Sequence, residues 1–245
     1  MIIILLLGLF IGSFLNVCIY RISKDKSIIY PSSYCPFCNE KIKKRDLIPI
    51  ISYINLKGLC RSCNSKISIK YPIIEGITAL VFLFIYIKYG LNLYFLKYSV
   101  LGALLILIGT IDYNTQYVYK NTIIISGLIS ILFIILEKTF YNINILDYIF
   151  GGIISGLFIY TIYLLSKGNM GYGDIEIFFI IGLFLGVRLS IILPLITFIL
   201  TGAIIILFLL LKKVKRNEYI PLGPFIALST ILVILFKDYL LEIYF

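Results

Sequence analysis

The chain contains no histidine and no tryptophan, only two methionines, and only 14% charged residues in a length of 245. Without histidine the commonest general base and metal ligand near neutral pH is missing, so any acid–base chemistry falls to Asp, Glu, Lys, Tyr or Cys. A glycine fingerprint of the nucleotide-binding type is also absent. Soluble domains carry roughly 25% charged residues. The shortage here, set against 61% hydrophobic residues, excludes an ordinary water-soluble fold and leaves a membrane protein.

An α-helix needs about 20 mostly apolar residues to cross a bilayer, fewer where the bilayer thins or flanking residues snorkel. Stretches of that kind run over 2–20, 73–89, 93–111, 122–136, 146–165, 175–187, 189–211 and 220–244. They predict an all-α polytopic membrane protein of about eight transmembrane helices, with the boundary between the sixth and seventh weakly marked. The first stretch has no basic segment before it and no small-residue cleavage site ahead of Tyr20-Arg21, so it reads as a retained span rather than a removed signal.

Lys and Arg near the spans set orientation, because short basic loops stay on the cytoplasmic side. The stretch 21–72 holds half of the 22 basic residues. Its side also receives Lys120, Lys167 and the run Lys212, Lys213, Lys215 and Arg216, while the opposite face keeps Lys88, Lys97, Lys138, Arg188 and Lys237. The N-terminus is therefore expected outside and the long loop inside, with the 112–121 and 166–174 connections on the cytoplasmic face. The net charge of +10 then reflects topology and contact with anionic lipid more than nucleic-acid binding.

That loop carries an internal repeat. "CPFCNEKI" at 35–42 and "CRSCNSKI" at 60–67 share the pattern Cys-x-x-Cys-Asn-x-Lys-Ile. The separation of the two halves is close to that of a zinc ribbon, in which each knuckle offers two thiolates to one tetrahedral site. Cys35, Cys38, Cys60 and Cys63 are thus candidate zinc ligands. The rival readings are a pair of disulfides or a redox Cys-x-x-Cys. Disulfides are rare in a reducing cytosol, and a redox motif has no need of duplication. A structural metal also suits a loop too small to bury much of a core. Cys18, in the first span, reads as packing.

Most of the 12 carboxylates fall in loops or at helix ends, where no function need be invoked. Asp112, in "GTIDYNTQ", ends the third predicted span, and Asp174, in "GYGDIEIFF", begins the sixth, so both face the same side. An aspartate in hydrocarbon costs about 2.5–3.5 kcal/mol or more. Taken singly, each is accounted for by snorkelling to water, with Asp174 favoured near a helix N-terminus. Two together allow another chemistry: paired carboxylates share one proton, so that one activates water while the other protonates a carbonyl. Gly171 and Gly173, lacking side chains, are candidate substrate-binding positions where an extended peptide could lie beside Asp174; the competing account is a flexible turn.

These residues give the chain a resemblance to the type IV prepilin peptidases, also called leader peptidase/N-methyltransferases. The likeness runs in order through "GLFIGSFLNVCIYR" at 8–21, "YPSSYCPFCNEKI", "LIPIISYINLKGLCRSCNSKISIKYPIIE", the aspartate of "IDYNTQ", "GNMGYGD" and "IPLGPFIA" at 220–227. It implies a bifunctional enzyme of the bacterial cytoplasmic membrane. Such an enzyme cleaves the basic leader of type IV prepilins or pseudopilins at the cytoplasmic face, then N-methylates the new terminus with S-adenosylmethionine. By motif, Asp112 and Asp174 are its catalytic pair and the four cysteines its metal ligands. The implied division is a first helix at 1–20, a zinc-binding loop domain at 21–72 and a membrane-embedded peptidase at 73–245.

The residues that hold S-adenosylmethionine are not marked by any motif; Glu75 is a candidate, with helix capping as the plainer alternative. The chain departs from the family where "YVYKN" replaces a common Pro-Asp, where Glu176 replaces a common lysine, and where Leu222 replaces a common Phe. None of these removes a catalytic group. Two other function classes remain open at this level: a G-x-G-D protease with other clients, such as preflagellin or signal-peptide peptidases, and a non-enzymatic zinc-bearing scaffold or transporter.

Overall fold

A computed structural model describes residues 1–167, 170–212 and 219–245. Gly168 and Asn169 of the "GNMGYGD" stretch, and Lys213, Lys215 and Arg216 of the basic run, lie outside the described residues. The chain separates into two compact units, Met1–Phe95 and Leu96–Phe245.

In the first unit, α1 (Ile2–Ile22) and α3 (Lys70–Tyr89) are long apolar helices that pack on one another, and between them lie a 3-10 turn at Lys44–Leu47 and the short helix α2 (Ile51–Asn55). The contact between α1 and α3 is close because α1 offers Gly8 and Gly12 one turn apart. A β-carbon on Gly12 would stand 2.7 Å from the Glu75 backbone, and one on Gly8 2.6 Å from that of Ala79. Small residues four apart are the usual means by which membrane helices bring their backbones together. Asn16 adds an amide bond to the Tyr71 carbonyl at 3.0 Å. Arg21, buried at the end of α1, donates to the carbonyls of Ser27, Ile28 and Pro31 and so holds the start of the loop.

The two cysteine repeats fold alike. Isolated antiparallel bridges join Tyr34 to Lys41 and Leu59 to Lys66, closing each knuckle at its base. Asn39 and Asn64, the shared asparagines of the repeat, both adopt left-handed backbone with φ of 58° and 54°. Asparagine tolerates that conformation better than most residues, which explains why it recurs. Around it the Asn39 amide donates to the Cys35 carbonyl and the Cys35 amide to the Glu40 carbonyl; Asn64, Cys60 and Ser65 repeat the pattern.

The second unit holds α4 (Leu93–Thr115, whose first turn precedes the division), α5 (Lys120–Tyr141), α6 (Ile145–Leu165), α7 (Tyr172–Leu185), α8 (Val187–Leu210), α9 (Gly223–Leu235) and α10 (Lys237–Tyr244). Helix α7 is its centre: α5, α6 and α8 all pack against it, and Phe178, Ile181 and Phe184 are wholly buried. A helix apolar on every side belongs inside a bundle. The Ser155 hydroxyl on α6 ties α6 to α7 further by donating to the Phe178 carbonyl at 2.8 Å.

Among the described residues six helices are long and apolar enough to cross a membrane, or seven if α9 and α10, bent by 82° at their junction, form one broken span, so the expected count of about eight is not confirmed. Helix α7 falls short because 14 residues rise only about 21 Å against a hydrocarbon core of about 30 Å. It ends at Gly186, whose φ of +79° lies within one residue of the expected boundary between the sixth and seventh stretches.

Lys97, expected among the basic residues of the outer face, is instead 1% exposed inside the unit. Its ammonium donates to both Glu137 carboxylate oxygens at 2.8 Å and lies 4.4 Å from the centre of the Tyr148 ring.

Candidate active site

Asp112 lies in the last turn of α4 and Asp174 in the first turn of α7. Both are nearly excluded from solvent, at 5% and 6% exposure. That decides against the plainer account in which each carboxylate snorkels freely to water. The two are close enough to act on each other electrostatically, and the Tyr219 phenol interacts with both. Burial raises the Tyr219 hydroxyl above the ordinary phenol range, and the charges of Asp174 and Asp112 push the same way.

Each carboxylate is met by the N-terminus of a helix. Asp112 Oδ2 accepts the Gly223 amide, the first residue of α9, at 2.8 Å. Asp174 lies in the first turn of α7 beside the N-cap residue Gly171, and its own amide donates to the Gly171 carbonyl at 3.2 Å. Helix N-termini carry partial positive charge, so both placements favour negative charge on the pair. The cluster is assembled from segments far apart in sequence: the end of α4, the start of α7 and the start of α9.

Two glycines make that assembly possible. A β-carbon on Gly223 would come within 2.7 Å of Asp112 Oδ2 and 2.9 Å of its Cβ, so only glycine lets the amide reach the carboxylate. A β-carbon on Gly173 would come within 2.5 Å of Val118. Val118 of the α4–α5 connection thus lies directly against Gly173. Gly171 differs: it has extended backbone, with φ −72° and ψ 137°, and the position of its absent β-carbon lies 3.5 Å from Asp174 Oδ2 and 3.8 Å from the Tyr219 hydroxyl. Gly223 lies within the quoted motif "IPLGPFIA" without a role of its own there, and Tyr219 lies just before it. The signal available for Gly223 was a glycine just ahead of Pro224, at the start of an apolar run.

Replacing Gly223 by Ala is expected to push the Asp112 carboxylate off its amide. Any reaction that uses the Asp112 carboxylate should slow at least tenfold, about 1.4 kcal/mol of barrier, with little change in folded yield, which steady-state kinetics check.

In the first unit the thiols of Cys35, Cys38, Cys60 and Cys63 converge, with all four sulfurs within 4.8 Å of one another. The Cys35 and Cys63 sulfurs, from different knuckles, are 3.8 Å apart. Sulfurs at the corners of a tetrahedron with metal–sulfur bonds of about 2.3 Å stand about 3.8 Å apart, so the cluster fits a single metal ion. No disulfide is present: the five cysteines are free. Burial opposes ionisation of Cys35, but the amides of Cys38 and Phe37 and the Ser65 hydroxyl outweigh it and bring that thiol to about 6. Cys38 goes the other way. The Glu40 amide favours its thiolate, yet desolvation and the bonds it shares with Cys63 and Cys35 push it up to about 12. Four thiols this close do not ionise together unless a cation joins them.

Arg61 pins the second knuckle by a two-pronged bond to Asp46, at 2.6 and 2.9 Å, which holds the Asp46 carboxyl below its ordinary range. Glu75, considered above for S-adenosylmethionine, is buried and already engaged: its carboxylate accepts the Ile50 amide at 2.8 Å, at the start of α2. It caps a neighbouring helix, and it steadies Ile50 at an unusual φ of 60°.

Residues 6–89 match the bacterial peptidase A24 N-terminal domain family, and residues 99–210 match the type IV leader peptidase family. The prepilin leader peptidase/N-methyltransferase of Bacillus subtilis (strain 168) is 32% identical over 249 residues, covering 99% of this chain and 96% of the relative. The type 4 prepilin-like proteins leader peptide-processing enzyme of Escherichia coli O78:H11 is 30% identical, over 93% of this chain and 90% of its own. The prepilin leader peptidase/N-methyltransferase of Legionella pneumophila is also 30% identical, over 98% and 93%. No solved structure matches the chain significantly.

Proposed function

We infer the activity from one premise: this chain belongs to the prepilin leader peptidase/N-methyltransferase family. It cleaves the leader from prepilins and methylates the terminus so exposed. The single observation that supports the proteolytic mechanism best is the pair of buried carboxylates, Asp112 and Asp174, each met by a helix N-terminus. We assign them as the catalytic dyad, sharing one proton as closely placed carboxylates do.

In that mechanism water lies between the two groups. The unprotonated carboxylate takes a proton from the water as its oxygen bonds to the scissile carbonyl carbon, and the protonated partner gives its proton to the carbonyl oxygen. Collapse of the resulting diol breaks the C–N bond, and the departing nitrogen takes a proton to become a free amine. The nucleophile is water, so no covalent enzyme intermediate forms. Gly171 offers extended backbone beside Asp174 for strand pairing with the substrate, while Gly173 serves by admitting Val118. Tyr219 lines the same place.

Methylation must follow cleavage, because the amine that accepts the methyl group exists only once the peptide bond is broken. An α-amino group titrates near about 7.7–8.0, so part of it is neutral and nucleophilic at neutral pH. The methyl donor is S-adenosylmethionine, which supplies an electrophilic methyl group. In functional terms the chain divides into the first helix (1–20), the metal-binding loop (21–72) and the membrane peptidase (73–245). It sits in the bacterial cytoplasmic membrane with the N-terminus outside and the dyad facing the cytoplasm, as the basic loops require. The direct test is to mix purified enzyme in detergent with a prepilin and read the product by mass spectrometry. Loss of the leader and a gain of one CH₂ at the new terminus are expected; an intact prepilin overturns the assignment.

The metal of the four-cysteine site is zinc, the ion that thiolates in tetrahedral array hold best without redox chemistry. Elemental analysis should find about one zinc per chain, and Cys60→Ser should lower it and loosen residues 21–72 toward proteolysis. A zinc-free protein whose loop resists protease as well as the loaded form would sink this.

A further inference from the structure

On the side of α7 away from Asp174 runs a trough of about 560 Å³. Helices α5 and α6 both pack on α7 but scarcely on each other. They form its walls, and α7 forms its floor. The trough lies wholly within the second unit.

Ile123, Ile153, Leu157 and Phe179 give its lining hydrocarbon, Tyr160 and Tyr172 add phenol rings, and Glu176, one turn into α7, is its one charged group. Among the described residues Glu176 has no hydrogen-bond or ion-pair partner. A carboxylate in such surroundings is costly unless a cation meets it. Gly127 leaves the α5 wall open: a β-carbon there would find nothing within 4 Å. Glycine inside a helix costs roughly 0.5–1 kcal/mol relative to alanine, and no close packing within the unit accounts for this one.

Position supplies the rest. Residues 174 and 176 are about 200° apart around a helix of 3.6 residues per turn, so trough and dyad lie on opposite faces of the same first turn. A chain leaving the trough beside Glu176 has only to pass over the helix end at Gly171 to reach Asp174. A helix is about 10–12 Å across, and three or so extended residues at about 3.3 Å each cover that distance.

We propose that this trough docks the apolar helix of a membrane-inserted substrate, with Glu176 pairing with a cationic side chain at the substrate helix's end nearest the cleaved bond. Trough and dyad then act as a ruler: the seated helix fixes which peptide bond, a few extended residues beyond it, lies over Asp174. The proposal rests on the prepilin-processing reading above and adds to it how the substrate is held and how its cleaved bond is chosen.

The test uses full-length enzyme in lipid vesicles and a full-length prepilin. Gly127→Phe puts a ring into the trough from a position where a β-carbon meets nothing within 4 Å, and Glu176→Lys reverses its charge. Each should lower kcat/KM at least tenfold, mostly through KM, at unchanged folded yield and zinc content. Glu176→Lys should regain activity when the basic residue at the substrate helix's end nearest the cleaved bond is replaced by Glu, a rescue that a merely structural role would not produce. Wild-type enzyme that leaves prepilin uncut overturns the prepilin reading itself. Wild-type cleavage matched by both variants overturns the trough alone and marks it as a lipid site. Loss in Glu176→Lys without rescue removes the ion pair, and with it the proposal.

Discussion

Asp112→Asn and Asp174→Asn are each expected to reduce prepilin cleavage by about 10³-fold or more, a barrier increase of about 4 kcal/mol, and the double variant to be no worse than either single. Removal of either member leaves the other unable to act as both acid and base, and members of one catalytic unit do not add. The fold should survive. An asparagine oxygen can still accept the Gly223 amide that now reaches Asp112 at 2.8 Å, and at Asp174 the variant replaces a buried carboxylate by a neutral group of the same shape. Zinc content should also stay level, since the four cysteines belong to the first compact unit and both aspartates to the second. Methyl transfer to an already cleaved pilin should continue, because an amine attacking a methyl group needs no carboxylate dyad. The rates are read in single-turnover assays with two substrates, intact and pre-cleaved. If Asp174→Asn cleaved within about tenfold of wild type, a change of only about 1.4 kcal/mol, the residue would be a helix-end carboxylate and the dyad would be lost.

What could be read from sequence was what repeats or what costs energy. The duplicated Cys-x-x-Cys-Asn pattern showed two equivalent knuckles, and its asparagines proved to be the residues with left-handed backbone. The long apolar runs gave the helices, and two carboxylates beside them stood out. Partners contributed from far along the chain gave no such signal. Gly223 meets Asp112 across 111 positions, and nothing local in either segment marks the other. Val118 fills the space at Gly173 because of how the α4–α5 connection folds back. The shortness of α7 was visible in the bounds 175–187, but its place was not: burial among protein helices demands the same composition as burial in lipid. The burial of Lys97 was hidden likewise. A lone lysine near a helix end reads as an interfacial charge until its partner, 40 residues on, is known.

That pair should give the largest stability effect in the second unit. Lys97 and Glu137 are 1% and 0% exposed, so neither can recover its hydration when the other is removed. Glu137→Leu is expected to cost about 3–5 kcal/mol, a fall of roughly 10 °C in the unfolding midpoint for a chain of this size. The Lys97 ammonium would be left over the Tyr148 ring, 4.4 Å from its centre, with Asp147 as the remaining carboxylate acting on it. The double variant Lys97→Met/Glu137→Leu should recover most of the loss, because two charges no longer have to be kept out of water and apolar groups of similar volume take their place. Asp112 lies roughly 20 Å further along α4. The double variant should therefore cleave prepilin at the wild-type rate per folded molecule, separating stability from catalysis. Thermal unfolding in detergent, followed beside single-turnover cleavage, decides the matter. A double variant as unstable as Glu137→Leu would mean that the pair's geometry, rather than its charge balance, holds α4 to α5.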